Sequence, residues 1–259
     1  MIKRGQITAY FIIALVVAAT FLILGTAKKD NASKLDVGME NVRVDDSNLR
    51  AFVESCVNTA AKNAVFYLGF VGGNLKDDIF KQYYPIGTIY KIPYYYYEGA
   101  SLILTEDGFK NLVLAKYMND NLRKCTNNFK AFENARIVDS NVKTNVELSG
   151  NEAIFNVRYP VSINHGFSVK NLDPDYIAVV RVRLKDILQI AQNIVENEVK
   201  NGRHINWDYL TEVSKRNYNI TAYTENDNTL VYRIIDLENE IDKEPYVFQW
   251  ANKIKFKGD

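Results

Sequence analysis

The sequence is poor in the residues that usually carry chemistry. Its 259 residues hold two histidines, His165 and His204, and two cysteines, Cys56 and Cys125. That is too few for a typical zinc cluster, which takes four Cys or His ligands. It also lacks a surplus of either charge. Lysine plus arginine number 32 and aspartate plus glutamate 31, for a net charge of +1, so nothing argues electrostatically for a nucleic-acid partner. No G-x-S-x-G, Walker A, Rossmann or H-E-x-x-H pattern occurs. We therefore expect no catalytic residue, no metal and no cofactor. The chain is 47% hydrophobic and 24% charged, which excludes disordered, collagenous and low-complexity classes. The length fits one large domain or two small ones.

What the chain does have is a long apolar run. Residues Ile7 to Gly25 read ITAYFIIALVVAATFLILG, 19 consecutive residues without a charge. As a helix they would extend about 28 Å, close to the ~30 Å hydrocarbon core of a bilayer. The run predicts a transmembrane helix over 6–25, contacting membrane lipid through residues 7–25. A cleaved secretory signal is the alternative. Its apolar region would be ~7–15 residues and would end in small residues; Gly25-Thr26-Ala27 is a weak match. Lys3 and Arg4 precede the run and Lys28 and Lys29 follow it, so charge alone orients it weakly. The expected location is the cell membrane, single-pass, with everything C-terminal of the run extracytoplasmic.

Lys3-Arg4-Gly5-Gln6, set directly before the run, resembles an archaeal class III signal, the short leader of type IV pilin-like proteins. The resemblance implies a leader over 1–5, removed by a prepilin-type peptidase between Gly5 and Gln6, and an apolar helix kept as an anchor or filament core. Many such pilins carry Glu at the fifth mature position, where Tyr10 stands here; the departure bears on assembly more than on processing. Further along, Val53-Glu54-Ser55-Cys56, the Gly72-Gly73 pair, Ile92-Pro93-Tyr94-Tyr95-Tyr96-Tyr97 and Cys125 resemble membrane-anchored archaeal surface proteins. That likeness implies location and architecture and supplies no activity.

Residues 26–47 are polar, without a sustained period, and read as a linker. From 48 to 259 the pattern predicts an extracytoplasmic α+β domain, with a sub-boundary near 130–136. Leu49, Phe52, Val53, Cys56, Val57, Ala60, Ala61, Ala64, Val65 and Leu68 follow 3–4 spacing, which predicts an amphipathic helix capped by Ser47 or Asn48 and ended by Gly69–Gly73. Residues 74–104 read as loops and short tyrosine-rich strands. A second helix is expected from Glu106 to Cys125, capped by Thr105. Hairpins are expected over 136–148 with 153–163 and over 218–224 with 229–236. A strand near 176–182, a helix from Leu184 to Val199 and a short helix near 207–215 complete the reading. Helices and hairpins come in blocks rather than in βαβ alternation, so α+β is the expected class.

Cys56 and Cys125 both fall on apolar helical faces. An even cysteine count in an exported chain favours a disulfide between them, and two buried thiols are the alternative. The tyrosines Tyr94, Tyr95, Tyr96 and Tyr97, with Tyr83, Tyr84 and Tyr90 nearby, could form an aromatic binding surface, or an edge strand with alternate rings buried. Asp236, Glu238, Glu240, Asp242 and Glu244 recur every second residue and read as a solvated acidic edge. Asn31 and Asn219 head glycosylation sequons. The leading functional expectation is a non-catalytic, membrane-anchored surface protein with a structural or adhesive role and a surface-protein partner. A pilin-like subunit self-assembling through its apolar helix is the alternative, and an ectodomain enzyme or ligand-binding module is the second alternative.

Overall fold

Asp45 starts the first helix. Its backbone is extended and its carboxylate accepts the N–H of Ser47, so the cap lies two to three residues ahead of the expected one. The computed structural model describes residues 45–75, 79–132, 135–164, 168–201, 205–225 and 228–254. Helix α1 runs Asp46–Phe70 and buries Leu49, Val53, Cys56, Val57, Ala60, Ala61, Ala64, Val65 and Leu68, the stripe read from the sequence. Its other face carries Arg50, Glu54 and Lys62 in ion pairs. It is amphipathic, not apolar all round.

That distinction corrects the expected architecture. The fold is α+β, but among the described residues no helix is long and apolar enough to cross a membrane. Each long helix spends one face on the core and the other on charged side chains. A single-pass transmembrane anchor, and the membrane localisation built on it, is therefore not supported. The apolar run 6–25, the leader 1–5 and most of the linker 26–47 lie outside the described residues.

The second helical segment, α2, joins Glu106–Gly108, a π-helical turn Phe109–Ala115, and Lys116–Thr126. Thr105 caps it, its hydroxyl accepting the Gly108 N–H at 3.1 Å. The wide π turn has a packing consequence. Val113, Leu114 and Ala115 are all buried, so this stretch turns a wider arc of its circumference to the core than the α-helical turns that follow it. Asn127, with φ of 45°, ends the segment in the left-handed region.

The main sheet has six strands. In spatial order they are β1 (Tyr83–Ile86), β2 (Tyr90–Tyr97), β12 (Glu244–Lys253), β11 (Thr229–Ile241) and β10 (Tyr218–Glu225), with β3 (Ala100–Ser101) paired to β2. All pairings are antiparallel except β2 with β12. Strand β12 was absent from the expected elements. The turn before it is Asp242-Lys243, both at positive φ, so the hairpin lacks the Asn-Gly or Asp-Gly signal that marks such turns. The acidic run over 236–244 is accordingly the arm and tip of this hairpin. It is not a wholly solvated edge, because Asp236 is fully buried.

Among the described residues two three-stranded sheets accompany the main sheet: β4 (Arg136–Asp139), β7 (Val161–Asn164) and β8 (Val169–Asn171); and β5 (Lys143–Leu148), β6 (Glu152–Arg158) and β9 (Asp175–Arg181). They are one meander bent across its middle. Bonds from Ser140 N–H to Pro160 O and from Tyr159 N–H to Pro174 O bridge the bend. Pro160 has no N–H to give the ladder and splits the expected 153–163 arm into β6 and β7, Pro174 stands likewise between β8 and β9, and the expected 136–148 arm breaks at 140–142. Two more helices follow, α3 (Leu184–Asn201) and α4 (Trp207–Ser214).

Helix α1 packs against α2, β9 and β12, and one buried cluster takes side chains from both sheet systems and from either side of residues 130–136. Close approach needs small residues. A Cβ on Gly69 would lie 2.6 Å from the Val247 carbonyl oxygen and 2.6 Å from the Tyr246 hydroxyl. Arg183, just after β9, reaches β11 and holds buried Asp236 through Nε at 3.1 and 3.2 Å. Burial would raise the Asp236 carboxyl. Arg183, the Glu238 N–H and the Asn239 amide outweigh that and hold it below the usual carboxylate range.

A disulfide joins Cys56 on α1 to Cys125 on α2, with Cα atoms 5.6 Å apart and a sequence separation of 69. Closing a loop of this length stabilises by about 4 kcal/mol in the chain-entropy treatment. Peptide mapping without reductant should recover the Cys56–Cys125 cross-link. The Cys56→Ala/Cys125→Ala variant should lose about 2–4 kcal/mol in urea unfolding. Full alkylation of both thiols in unreduced native protein would contradict the bridge.

Candidate functional site

The tyrosine run does not form a surface. Tyr94, Tyr95 and Tyr96 are buried and Tyr97 is half-buried. The reason is a bulge. β12 pairs Ala251 with Tyr94 and then Asn252 with Tyr96, so Tyr95 is an extra residue in β2. Alternation is broken there. Tyr95 and Tyr96 both enter the main core, while Tyr94 and Tyr97 join a smaller cluster with Ile92, Val231 and Ala251. Within the core Tyr232, Trp250, Tyr95 and Phe80 stack in sequence at centroid distances of 5.2, 5.7 and 5.8 Å. The run is the centre of an aromatic column across β11, β12 and β2.

The exposed aromatics lie nearby instead. Tyr67 and Val71 at the end of α1, Asn74, Tyr83 on β1, and Ile89, Tyr90 and Lys91 line an open cleft of about 340 Å³. Ile89 is 76% exposed and Tyr90 41%. The cleft is held firmly from below. Phe70 meets the Tyr90 ring edge-on at 5.3 Å, and Asn74 donates to the Lys91 carbonyl at 2.8 Å. Burial, with Tyr90 adding to it, raises the Tyr67 hydroxyl above its ordinary value. Tyrosine hydroxyls, apolar side chains and the Lys91 side chain are the chemistry on offer.

A second cleft, of about 260 Å³, lies between α3, α4 and β11. It is lined by Asn193, Asn197, Glu198, Asn206, Tyr209 and Tyr232 among others. Glu198 is 1% exposed. The Tyr232 hydroxyl donates to Oε1 at 2.5 Å and the Asn252 amide to Oε2 at 2.7 Å. Burial pushes the Glu198 carboxyl up to about 7, and the two hydrogen bonds only partly oppose it. The Asn252 Oδ1 has no hydrogen-bond partner among the described residues. A proton on Glu198 would give that oxygen a donor after rotation of the amide.

Glu198 was legible as an anomaly. It follows Ile187, Ile190, Ala191, Ile194 and Val195 at helical spacing, so it occupies a core position of α3. The expected apolar residue there was Val199, which is 46% exposed. A carboxylate on the apolar stripe was the signal.

The remaining expected sites are scattered. Gly5, Gln6 and Asn31 lie outside the described residues, as do His165 and His204. Asn219 is exposed on β10, the edge strand of the main sheet. Among the described residues no group of three or more His, Cys, Asp or Glu could hold a metal.

The raised Glu198 carboxyl carries a signed pH dependence. The unfolded chain loses this proton near the ordinary 4.5, the folded chain near 7. Stability is therefore fully present below pH 4.5 and falls as pH rises through 7, by about 3 kcal/mol at ~1.4 kcal/mol per unit. Glu198→Gln removes that loss. In urea unfolding the variant should gain about 3 kcal/mol relative to the parent between about pH 5 and about pH 8. A pH-independent difference would show that the carboxyl titrates normally. Comparison with protein-family models, with curated proteins and with solved structures finds no match to this chain.

Proposed function

We propose that this chain is a non-catalytic recognition module with a structural or adhesive role, and that the cleft of Tyr67, Tyr83, Ile89 and Tyr90 is its contact surface. The observation that carries the reading is Ile89, 76% exposed beside two tyrosines on a rigidly supported strand turn. Large apolar and aromatic side chains held at a surface are the usual anchors of protein recognition, because they bury much area for little lost conformational freedom. The support is stiff: Asn74 ties the α1 end to β2, and Phe70 packs on Tyr90. Binding here would order few groups that are not already ordered.

A second reading, a ligand-binding or enzymatic role for the α3–α4 cleft, draws on Glu198. Its raised carboxyl suits a general acid or base. Yet Tyr232 and Asn252 occupy one oxygen each, which favours a structural carboxyl over one that reaches a substrate.

Photo-crosslinking in the producing cells tests the proposal. A benzophenone side chain at Ile89 or Tyr90 should give a discrete adduct, and one at exposed Thr211 on α4 should give none. Ile89→Ser should weaken capture of the cross-linked partner at least about tenfold, with the urea midpoint unchanged. Equal, diffuse labelling at all three positions would overturn the assignment.

A further inference from the structure

We propose that strand β9 is a self-association edge, on which a second copy of this chain adds its own β9 antiparallel. The strand reads Asp175-Tyr176-Ile177-Ala178-Val179-Val180-Arg181 and lies at the edge of its sheet, paired only to β6 among the described residues. The bonds from Val182 N–H to Asn151 O and from Tyr159 N–H to Pro174 O bracket it. In an antiparallel ladder, hydrogen-bonded pairs alternate. Tyr176, Ala178 and Val180 therefore turn their backbone groups to β6, and Ile177, Val179 and Arg181 turn theirs to the open edge. Among the described residues no backbone hydrogen bond reaches those three.

Their side chains are open as well. Ile177 is 67% exposed and Val179 50%. Both share the outer face with Asn156 and Ile154 across the ladder. An apolar, unpaired edge of this length is a template for strand addition, and folded proteins usually guard it with a bulge, a proline or a central lysine. β9 has none of these. Its charges stand only at its ends.

Those ends decide the occupant. Turned antiparallel about Ala178, the strand is complementary to itself. Asp175 faces Arg181 of the second copy, Ile177 faces its Val179, and the same contacts recur by two-fold symmetry. A parallel addition would instead set like charges side by side. Arg181 forms no ion pair within the chain among the described residues, and Asp175 is 64% exposed, held by Arg158 at 3.3 Å. Arg50 donates to the Asp175 carbonyl, so the new ladder rests chiefly on Ile177 and Val179. The outer rows of β5 and β6 add Lys143, Glu147, Glu152 and Arg158, mixed in sign. Two copies would make one continuous six-stranded outer sheet.

Sedimentation equilibrium on the full chain should show a mass that rises with concentration from monomer to dimer. Val179→Lys places a charge on the edge without entering the core, and should leave a monomer with unchanged circular dichroism and urea midpoint. Chemistry at the seam gives the register. Mixing Ile177→Cys with Val179→Cys under mild oxidation should give a cross-linked heterodimer at several times the yield of either alone. A concentration-independent monomer, a dimer that survives Val179→Lys, or cross-linking strongest in Ile177→Cys alone would each overturn the proposal. So would binding of a β9-sequence peptide in place of a second copy without any dimer of the chain.

Discussion

The structure depends on the burial of one face of α1 against two sheet systems at once. Leu49, Val53, Val57, Ala61, Ala64 and Leu68 are fully buried, and α1 meets β9 of the bent meander and β12 of the main sheet. A helix can approach β12 this closely only where its side chains are small. Ala60, Ala61, Ala64 and Gly69 meet that condition, and Gly69 has no room for a single extra carbon. Close packing then transmits errors, because a displaced α1 would open both sheets. The Cys56–Cys125 bridge acts on this same constraint, tying α1 to the helix that covers it.

Polar groups inside the core mark where the elements are locked to one another. Arg183 and Asp236 join the end of β9 to β11, with Arg183 also donating to the Arg216 and Asn217 carbonyls and lying 3.9 Å from the Tyr218 ring centre. A buried ion pair with so many partners fixes geometry more than it adds stability, since desolvation offsets much of the attraction. Glu198 does the same for α3, bonding β11 through Tyr232 and β12 through Asn252, but with no ion-pair partner among the described residues. The contrast explains their opposite titration. Asp236 is pulled down by Arg183, and Glu198 is pushed up by burial.

Aromatic residues divide between core and surface along a line that composition cannot draw. The sequence holds 17 tyrosines. One extra residue at Tyr95 sends two neighbours to the same face and makes the densest tyrosine segment an interior column. Tyr67 and Tyr90, 23 positions apart in the sequence, meet at the surface because α1 ends where β2 begins its pairing. Exposed Ile177 and Val179 arise similarly, from a strand whose outer face no helix covers among the described residues.

Local periodicity determined α1, α2, α3 and α4 to within a few residues, together with the Thr105 cap, both cysteine positions on apolar faces and most strands of the meander, because those features follow from side chains within one or two turns of each other. The breaks at Pro160 and Pro174 were also written there, in residues that lack an N–H. Only the tertiary structure decided the rest. Strand β12 pairs in parallel with β2, roughly 150 residues away, a register that no local pattern encodes. The bulge that buried the tyrosine run, the ion pair that took Asp236 out of solvent, and the cleft that put a buried Glu198 against β11 all arise from contacts between distant segments. Burial is a property of what the rest of the chain places around a residue, and it is burial that turned these particular side chains from the roles their neighbours in sequence suggested.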